Sequence, residues 1–350
     1  MATLPTLNVA LIDYGYAGKT LHAPLIENVP GLNLVAVCSS KPEMVSVDRP
    51  SVRVSRSVDE LFASSEIDMV VIATPNNTHF DLSRRALLSG KHVVVDKPFT
   101  VTSAHARELK QIAEQQNRVL SVFQNRRWDA DFLTLRAIIE SGKLGEIVSF
   151  VSRFDRYRPE VKVRWREQAG EGSGLWYDLG PHLLDQALLL FGRPIAIQAD
   201  FKIQRNRAQA VDYFDVQMRY EQLRVTLHAG MLVSEESPRF ELKGSVGSYF
   251  KFGLDTQEDA LKRGELPVDE TWGYDPRDGV LQILTTGGSI STMASTLRGD
   301  YRQYYKEFRD AVILKRATPV SMEDAVLTIE LIELACESAK SGCEICVSAH

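Results

Sequence analysis

The chain has 350 residues, 44% of them hydrophobic and 25% charged, enough to bury a large core and to form two domains. A net charge of −5 with no dense Lys/Arg run excludes a general electrostatic pull toward nucleic acid. Met1 to Asn8 shows no basic region followed by an apolar stretch, and no segment reaches the roughly 20 apolar residues of a membrane helix; a cytoplasmic protein without a membrane partner is expected. Cys38, Cys336, Cys343 and Cys346 are too few and too unevenly placed for a disulfide framework. Cys343 and Cys346 form a C-x-x-C in a predicted terminal strand, with no second Cys/His pair to complete a zinc site, and are read as plain thiols.

In chain order, Val9–Ile12, Leu34–Val37, Met69–Ala73, Val93–Val95 and Arg118–Phe123 are short apolar runs predicted as buried strands. Helical stretches such as Ser83–Leu88 and Ala104–Gln115 lie between them. Buried strands alternating with helices predict a parallel sheet covered on both faces, a unit ending near Gln124. From Ile147 the segments lengthen and alternate: Ile147–Phe154, Ile195–Ile203, Tyr213–Arg219, Arg224–Met231 and Phe240–Gly244. That alternation predicts an antiparallel sheet with one face covered. A helix is predicted over Pro181–Phe191, with Pro in its favoured first turn and Gly192 as its stop; Tyr301–Lys315 and Met322–Ser341 are helical again. The expectation is two domains. Residues 1–124 form a Rossmann nucleotide binder, and 125–350 an α+β substrate and dimerisation domain with a large, mostly antiparallel open sheet, the C-terminal helix able to pack back on the first domain.

After the first strand comes Asp13-Tyr14-Gly15-Tyr16-Ala17-Gly18. In the dinucleotide fingerprint G-x-G-x-x-G the middle Gly lets the backbone approach the pyrophosphate and the last permits close helix packing; Gly15 and Gly18 hold those places. Asp13 stands at the first, and its carboxylate is expected to turn from the phosphate and accept N–H bonds at the helix start. The same letters support a rival. Gly18-Lys19-Thr20 resembles the tail of an NTPase phosphate loop, and Val93-Val94-Val95-Asp96 an apolar strand ending in a magnesium-binding Asp.

Three further motifs occur in order: Ala73-Thr74-Pro75-Asn76-Asn77-Thr78-His79, then Asp96-Lys97-Pro98, then Gly172 through Asp178-Leu179-Gly180-Pro181-His182. Together they resemble A-T-P-x-x-x-H, E-K-P and D-x-G-x-H of the Gfo/Idh/MocA oxidoreductases, over essentially the whole chain. Asp13 and Asp96 depart from the family pattern, the latter conservatively. The N-terminal part and Asn125-Arg126-Arg127-Trp128-Asp129 look most similar to the NADP-type scyllo-inositol dehydrogenases.

The resemblance implies hydride transfer to or from a polyol or sugar carbon, without metal. Oxidising an alcohol at neutral pH requires a base at the hydroxyl and a donor for the charge that develops there. His182 is expected as base and Lys97 as donor, with Asp178 orienting the ring or capping the helix; which of Lys97 and His182 takes the proton stays open. Lys97 also follows a parallel strand at its carboxyl end, where open α/β sheets bind ligands. Gly15, Tyr16, Gly18, Thr74, Pro75, Asn76 and Asp96 are expected around the cofactor, while His79 reads as a helix-start residue. Arg127 and Trp165 are candidate substrate contacts. Ser39-Ser40-Lys41 at the end of the second strand offer hydroxyls and a cation where NAD-selective sites carry an acid, so NADP(H) is the expected cofactor. The alternatives are a non-catalytic NADP-sensing Rossmann protein and a P-loop NTPase. A broad sheet face implies a homodimer or dimer of dimers.

Overall fold

The computed structural model describes residues 5–348 other than 163, 164 and 269. Along the chain the elements are β1 (Leu7–Ile12), a π-helical turn (Ala17–His22), α1 (Ala23–Glu27), β2 (Leu32–Cys38), α2 (Pro42–Asp48), β3 (Arg53–Ser55), α3 (Val58–Ala63), β4 (Met69–Ile72), α4 (His79–Leu88), β5 (His92–Val95), α5 (Ser103–Gln115) and β6 (Leu120–Val122). Then follow α6 (Ala130–Glu140), β7 (Ile147–Arg153), α7 (Gly174–Phe191), β8 (Ala196–Lys202), β9 (Tyr213–Arg219), β10 (Arg224–Gly230), β11 (Phe240–Gly244), β12 (Gly247–Lys251), α8 (Gln257–Lys262), β13 (Gly279–Thr285), β14 (Gly288–Ala294), α9 (Arg302–Leu314), α10 (Met322–Ser341) and β15 (Ile345–Cys346).

Two compact units result. The first comprises Met1–Trp128, Gln257–Trp272 and Asp300–Leu327. Its six strands are parallel in the order β3-β2-β1-β4-β5-β6, the doubly wound dinucleotide-binding order. The strands read as unbroken apolar runs because both faces are covered: Val9, Leu11, Val70, Val71, Val93 and Val94 are fully buried. β1 pairs with β2 on one side and β4 on the other, Ile12 standing opposite Cys38 and Ile72. The order reverses there, so the loops leaving β1, β2 and β4 meet at the switch point where such sheets bind ligands.

The second unit comprises Asp129–Thr256, Gly273–Gly299 and Thr328–His350. Its nine strands run β14-β13-β12-β11-β7-β10-β9-β8-β15, antiparallel except for the β7–β10 pair. Register aligns Ile197, Met218, Val225, Phe150, Leu242, Tyr249 and Leu281 in one buried row across seven strands. The neighbouring row on the other face holds Gln217, Thr226, Val151, Glu241 and Phe250, and is half-exposed or exposed. This is the expected one-face-covered sheet, extended by β12, β13 and β14. Of these, β14, Gly288-Ser289-Ile290-Ser291-Thr292-Met293-Ala294, escapes a pattern reading because it is exposed nearly throughout and carries no alternation.

One element corrects the sequence reading. The predicted helix at Pro181 begins instead at Gly174 and carries Pro181 in its interior. Proline there cannot donate to the carbonyl four residues back, yet burial of Leu175, Trp176 and Leu179 holds the extra turns. Gly180 permits it: a Cβ there would stand 2.5 Å from the Trp176 ring, and Trp176 Nε1 donates to the Ile332 carbonyl at 3.2 Å.

Candidate functional site

Within the first unit, the ends of β1 and β2 open a cleft of about 370 Å³ lined by Asp13, Tyr14, Gly15, Tyr16, Lys19, Thr20, Ser39, Ser40, Lys41 and Met44. It gathers five predicted cofactor residues: Gly15, Tyr16, Ser39, Ser40 and Lys41. Gly18 lies behind it, and a Cβ there would stand 2.2 Å from the Asp13 carbonyl oxygen, so only glycine lets this helix start pack on the end of β1. Asp13 takes the left-handed φ of 77° that the fingerprint's first Gly usually supplies, a conformation Asp tolerates better than most residues. Its carboxylate does not cap the helix start as expected: no side chain caps the π-helical turn, and Asp13 Oδ2 lies beside Gly15, 2.8 Å from where a Cβ would be. The π register has a local cause. Pro24 has no N–H to offer Thr20, and Ala23 reaches back to the Gly18 carbonyl. The leading N–H groups of such a turn have no intrahelical acceptor, which suits them to a phosphate.

At the far end of the cleft, Lys41 N donates to Ser39 Oγ at 3.0 Å, which leaves the Ser39 hydroxyl proton for another acceptor. Lys41 is exposed. Lys19, by contrast, is engaged: its Nζ lies 2.7 Å from Asp48 Oδ2, and Asp48 also accepts from the Tyr14 hydroxyl at 3.2 Å. The pair with Lys19 holds the Asp48 carboxyl below its ordinary range. The phosphate-loop reading of Gly18-Lys19-Thr20 fails on the strand order, which is that of the dinucleotide binders.

The loops after β4 and β5 are bound to each other by His79. Its Nδ1 lies 2.8 Å from the Pro98 carbonyl and its Nε2 2.9 Å from the Thr74 carbonyl; burial pushes its pKa down against the pull of Asp96 and these acceptors. It starts α4, as the sequence reading had it. Thr74 Oγ1 meets Thr78 Oγ1 at 2.6 Å, Pro75 is exposed and Asn76 is buried. Lys97 is half-buried, and its own N–H donates to Asp96 Oδ1 at 2.8 Å. Asp96 is buried, with Oδ2 3.9 Å from Nε2 of the buried His22. Burial raises the Asp96 pKa, but His22 and Lys97 outweigh it and bring it to about 2. His22 Nδ1 lies 2.6 Å from the Tyr305 hydroxyl, and its ring lies on Phe123 with centroids 4.4 Å apart.

In the second unit, Asp178 and His182 sit four residues apart on α7, one turn and one face. The helix starts at Gly174 after Ser173, so Asp178 does not cap it, which corrects that alternative. His182 is buried, and Asp178 Oδ1 lies 3.6 Å from Arg166 Nε. Arg205, buried, pairs with Asp212 at 2.9 Å and Glu167 at 3.2 Å, walling a small pocket that also includes Asp178 and Arg166. The side chain of Trp165 lies outside the described residues. Arg127, in the first unit, is buried, donating to the Pro319 carbonyl at 2.9 Å and to Asp324 at 3.3 Å.

The sequence reading missed His22, Asp48 and Tyr305. A histidine within an otherwise apolar helix start, Leu21-His22-Ala23-Pro24-Leu25-Ile26, is the one local signal among them. The others reach their partners through chain separations that no periodicity encodes.

A 3-2-1-4-5-6 parallel sheet with a glycine turn and cleft at its switch point, in a chain with a second, open-sheet unit, is the architecture of a two-domain dinucleotide-binding protein. Residues 7–124 match the family description "Oxidoreductase family, NAD-binding Rossmann fold", and residues 136–347 match the family's C-terminal alpha/beta domain. The chain belongs to the Gfo/Idh/MocA oxidoreductase family, and is an NAD(P)-dependent enzyme of the class acting on CH–OH groups. It is 51% identical to the oxidoreductase YdgJ of Escherichia coli, over 98% of this chain and 99% of that one. It is 36% identical to the scyllo-inositol 2-dehydrogenase (NADP(+)) IolW of Bacillus subtilis, over 96% and 94%. The YPO2259 oxidoreductase structure from Yersinia pestis superposes with a TM-score of 0.96 at 46% identity, covering 100% of both chains. Among the described residues, no helix is long and apolar enough to cross a membrane.

Proposed function

We propose that the enzyme prefers NADP(H) and transfers a hydride between the nicotinamide and a ring carbon of a cyclic polyol, with scyllo-inositol the best single candidate. The observation that carries the cofactor preference is the far end of the cleft: Ser39, Ser40 and Lys41 line it, where an acid would bind the ribose hydroxyls and repel a 2′-phosphate. Ser39 offers a hydroxyl proton and Lys41 an exposed cation, groups that would hold that phosphate; Gly15 and the helix-start N–H groups would hold the pyrophosphate. The bound dinucleotide supplies or accepts the hydride. A charge-assisted contact contributes roughly 1.5–3 kcal/mol, or about 10- to 100-fold in selectivity. The polyol assignment rests on the likeness to IolW.

In this reading His182 takes the hydroxyl proton, Asp178 orients its ring, and Lys97 stabilises the charge on the reacting oxygen; Thr74, Pro75, Asn76 and Asp96 border the nicotinamide end. The proposed location is the cytoplasm, and the half-exposed or exposed outer row of the nine-stranded sheet supports assembly as a homodimer or dimer of dimers. The test is kcat/KM for NADP+ and NAD+ with scyllo-inositol at fixed ionic strength, since phosphate contacts are screened by salt. NADP+ should lead by at least about tenfold, and Ser39→Asp with Lys41→Ala should reverse the order. NAD+ equal to or better than NADP+ refutes the cofactor preference. Cyclohexanol turned over as well as the inositol refutes the polyol assignment.

A further inference from the structure

The glycine turn is braced from a distant part of the chain. Tyr16, between the two glycines, is exposed, yet its hydroxyl donates to Glu258 Oε1 at 2.8 Å. The other carboxylate oxygen, Oε2, lies 2.5 Å from Nη2 of the buried Arg126, and Lys262 Nζ approaches Oε1 at 3.1 Å. Arg126 belongs to the short 3-10 turn Asn125–Trp128 that follows β6. Glu258 belongs to α8, in the segment Gln257–Trp272 that leaves the nine-stranded unit and clusters with the first.

That segment is closed on itself at its base. Gln257 Nε2 donates to the Trp128 carbonyl at 3.1 Å, while Gln257 Oε1 accepts from Trp272 Nε1 at 3.1 Å and from the Tyr301 backbone at 2.8 Å. Its first and last residues are therefore joined through one buried amide, which fixes where α8 begins and where Glu258 points. Burial raises the Glu258 pKa, but Arg126 and the Tyr16 hydrogen bond outweigh it and bring it to about 2. The carboxylate thus stays an acceptor for Tyr16 through the neutral range.

We infer that Glu258 is a positioning residue for the dinucleotide: held by Arg126, it fixes Tyr16 and so orders the Gly15–Gly18 turn for the pyrophosphate. Tyr16 contributes its backbone to the turn and its side chain to the brace, so the geometry of the turn's N–H groups depends on a carboxylate 242 residues away in sequence. The inference rests on the NAD-binding fold and not on the proposed 2′-phosphate preference. Ordering a flexible turn before binding removes an entropic cost that the ligand would otherwise meet.

Tyr16→Phe tests it, because the Arg126–Glu258 pair stays intact and the ring is kept. Kd is measured by nicotinamide fluorescence for NADPH and NADH, and by competition for 2′-AMP and adenosine, which carry no pyrophosphate. Loss of one hydrogen bond to a charged acceptor should weaken both dinucleotides about tenfold and leave the fragments within about twofold, with Tm without ligand lowered by no more than about 3–6 °C. Glu258→Gln should weaken the dinucleotides likewise, and the double variant should be no weaker than the worse single one. Dinucleotide binding within about twofold of wild type in Tyr16→Phe overturns the inference. So does an equal loss for dinucleotides and fragments, or full additivity in the double variant.

Discussion

Replacing Gly18 by Ala separates the packing role of the glycine turn from its binding role. The new methyl would stand 2.2 Å from the Asp13 carbonyl oxygen and 3.1 Å from its carbonyl carbon, with Leu11 Cδ2 at 3.5 Å. The obstacle is backbone at the end of a buried strand, and Asp13 already holds a left-handed φ of 77°, so the chain must move by about 1 Å to reach ordinary contact. Overpacking costs typically 1–3 kcal/mol and more where nothing yields; about 3 kcal/mol is expected here. At roughly 2–4 °C per kcal/mol for a unit of this size, Tm should fall by about 6–12 °C without cofactor. Gly15→Ala is the contrast. Its methyl meets the Asp13 carboxylate at 2.8 Å, the movable end of a side chain, so Tm should shift by less than about 4 °C while dinucleotide affinity drops, because the methyl occupies the phosphate approach. Thermal unfolding and fluorescence titration of both variants decide it. A Gly18→Ala protein melting within 2 °C of wild type would refute the close-packing argument.

Lys97→Ala and His182→Ala should each lower kcat at least about a hundredfold with folding intact, and His182→Ala should leave cofactor Kd nearly unchanged; near wild-type turnover in both would remove them from the chemistry. Because the Asp96 pKa in the folded protein, about 2, lies below the unfolded value near 4, its stabilisation is complete above that value and is lost as pH falls toward 2. Between pH 5 and pH 3, urea unfolding should show wild type losing about 1 kcal/mol more than Asp96→Asn, and equal losses would show that His22 and Lys97 do not hold this carboxylate ionised. Activity should survive exhaustive EDTA treatment, since the proposed chemistry assigns the electrophilic role to Lys97; loss restored by zinc or manganese would overturn that.

The first unit was largely legible in the sequence because each of its signals is local. An apolar run of four residues between helical stretches has few places to go except a covered parallel strand, and glycines at 15 and 18 mark the only kind of turn that brings a helix so close to a strand end. The third strand and the helices α2 and α3 were not read, being three to seven residues long and too short for periodicity to register. Ser39-Ser40-Lys41 was likewise visible as chemistry, since the end of β2 is fixed relative to the glycine turn by the fold's geometry. Only the tertiary structure could decide the start of α7, where the burial of Trp176 against the space left by Gly180 overrides what Pro181 prefers locally. It alone shows that Lys19 answers to Asp48, and that the 257–272 segment returns to the glycine turn. Such partners are chosen by loop closure and burial over tens to hundreds of residues, and a linear pattern carries no record of which distant carboxylate will face which cation.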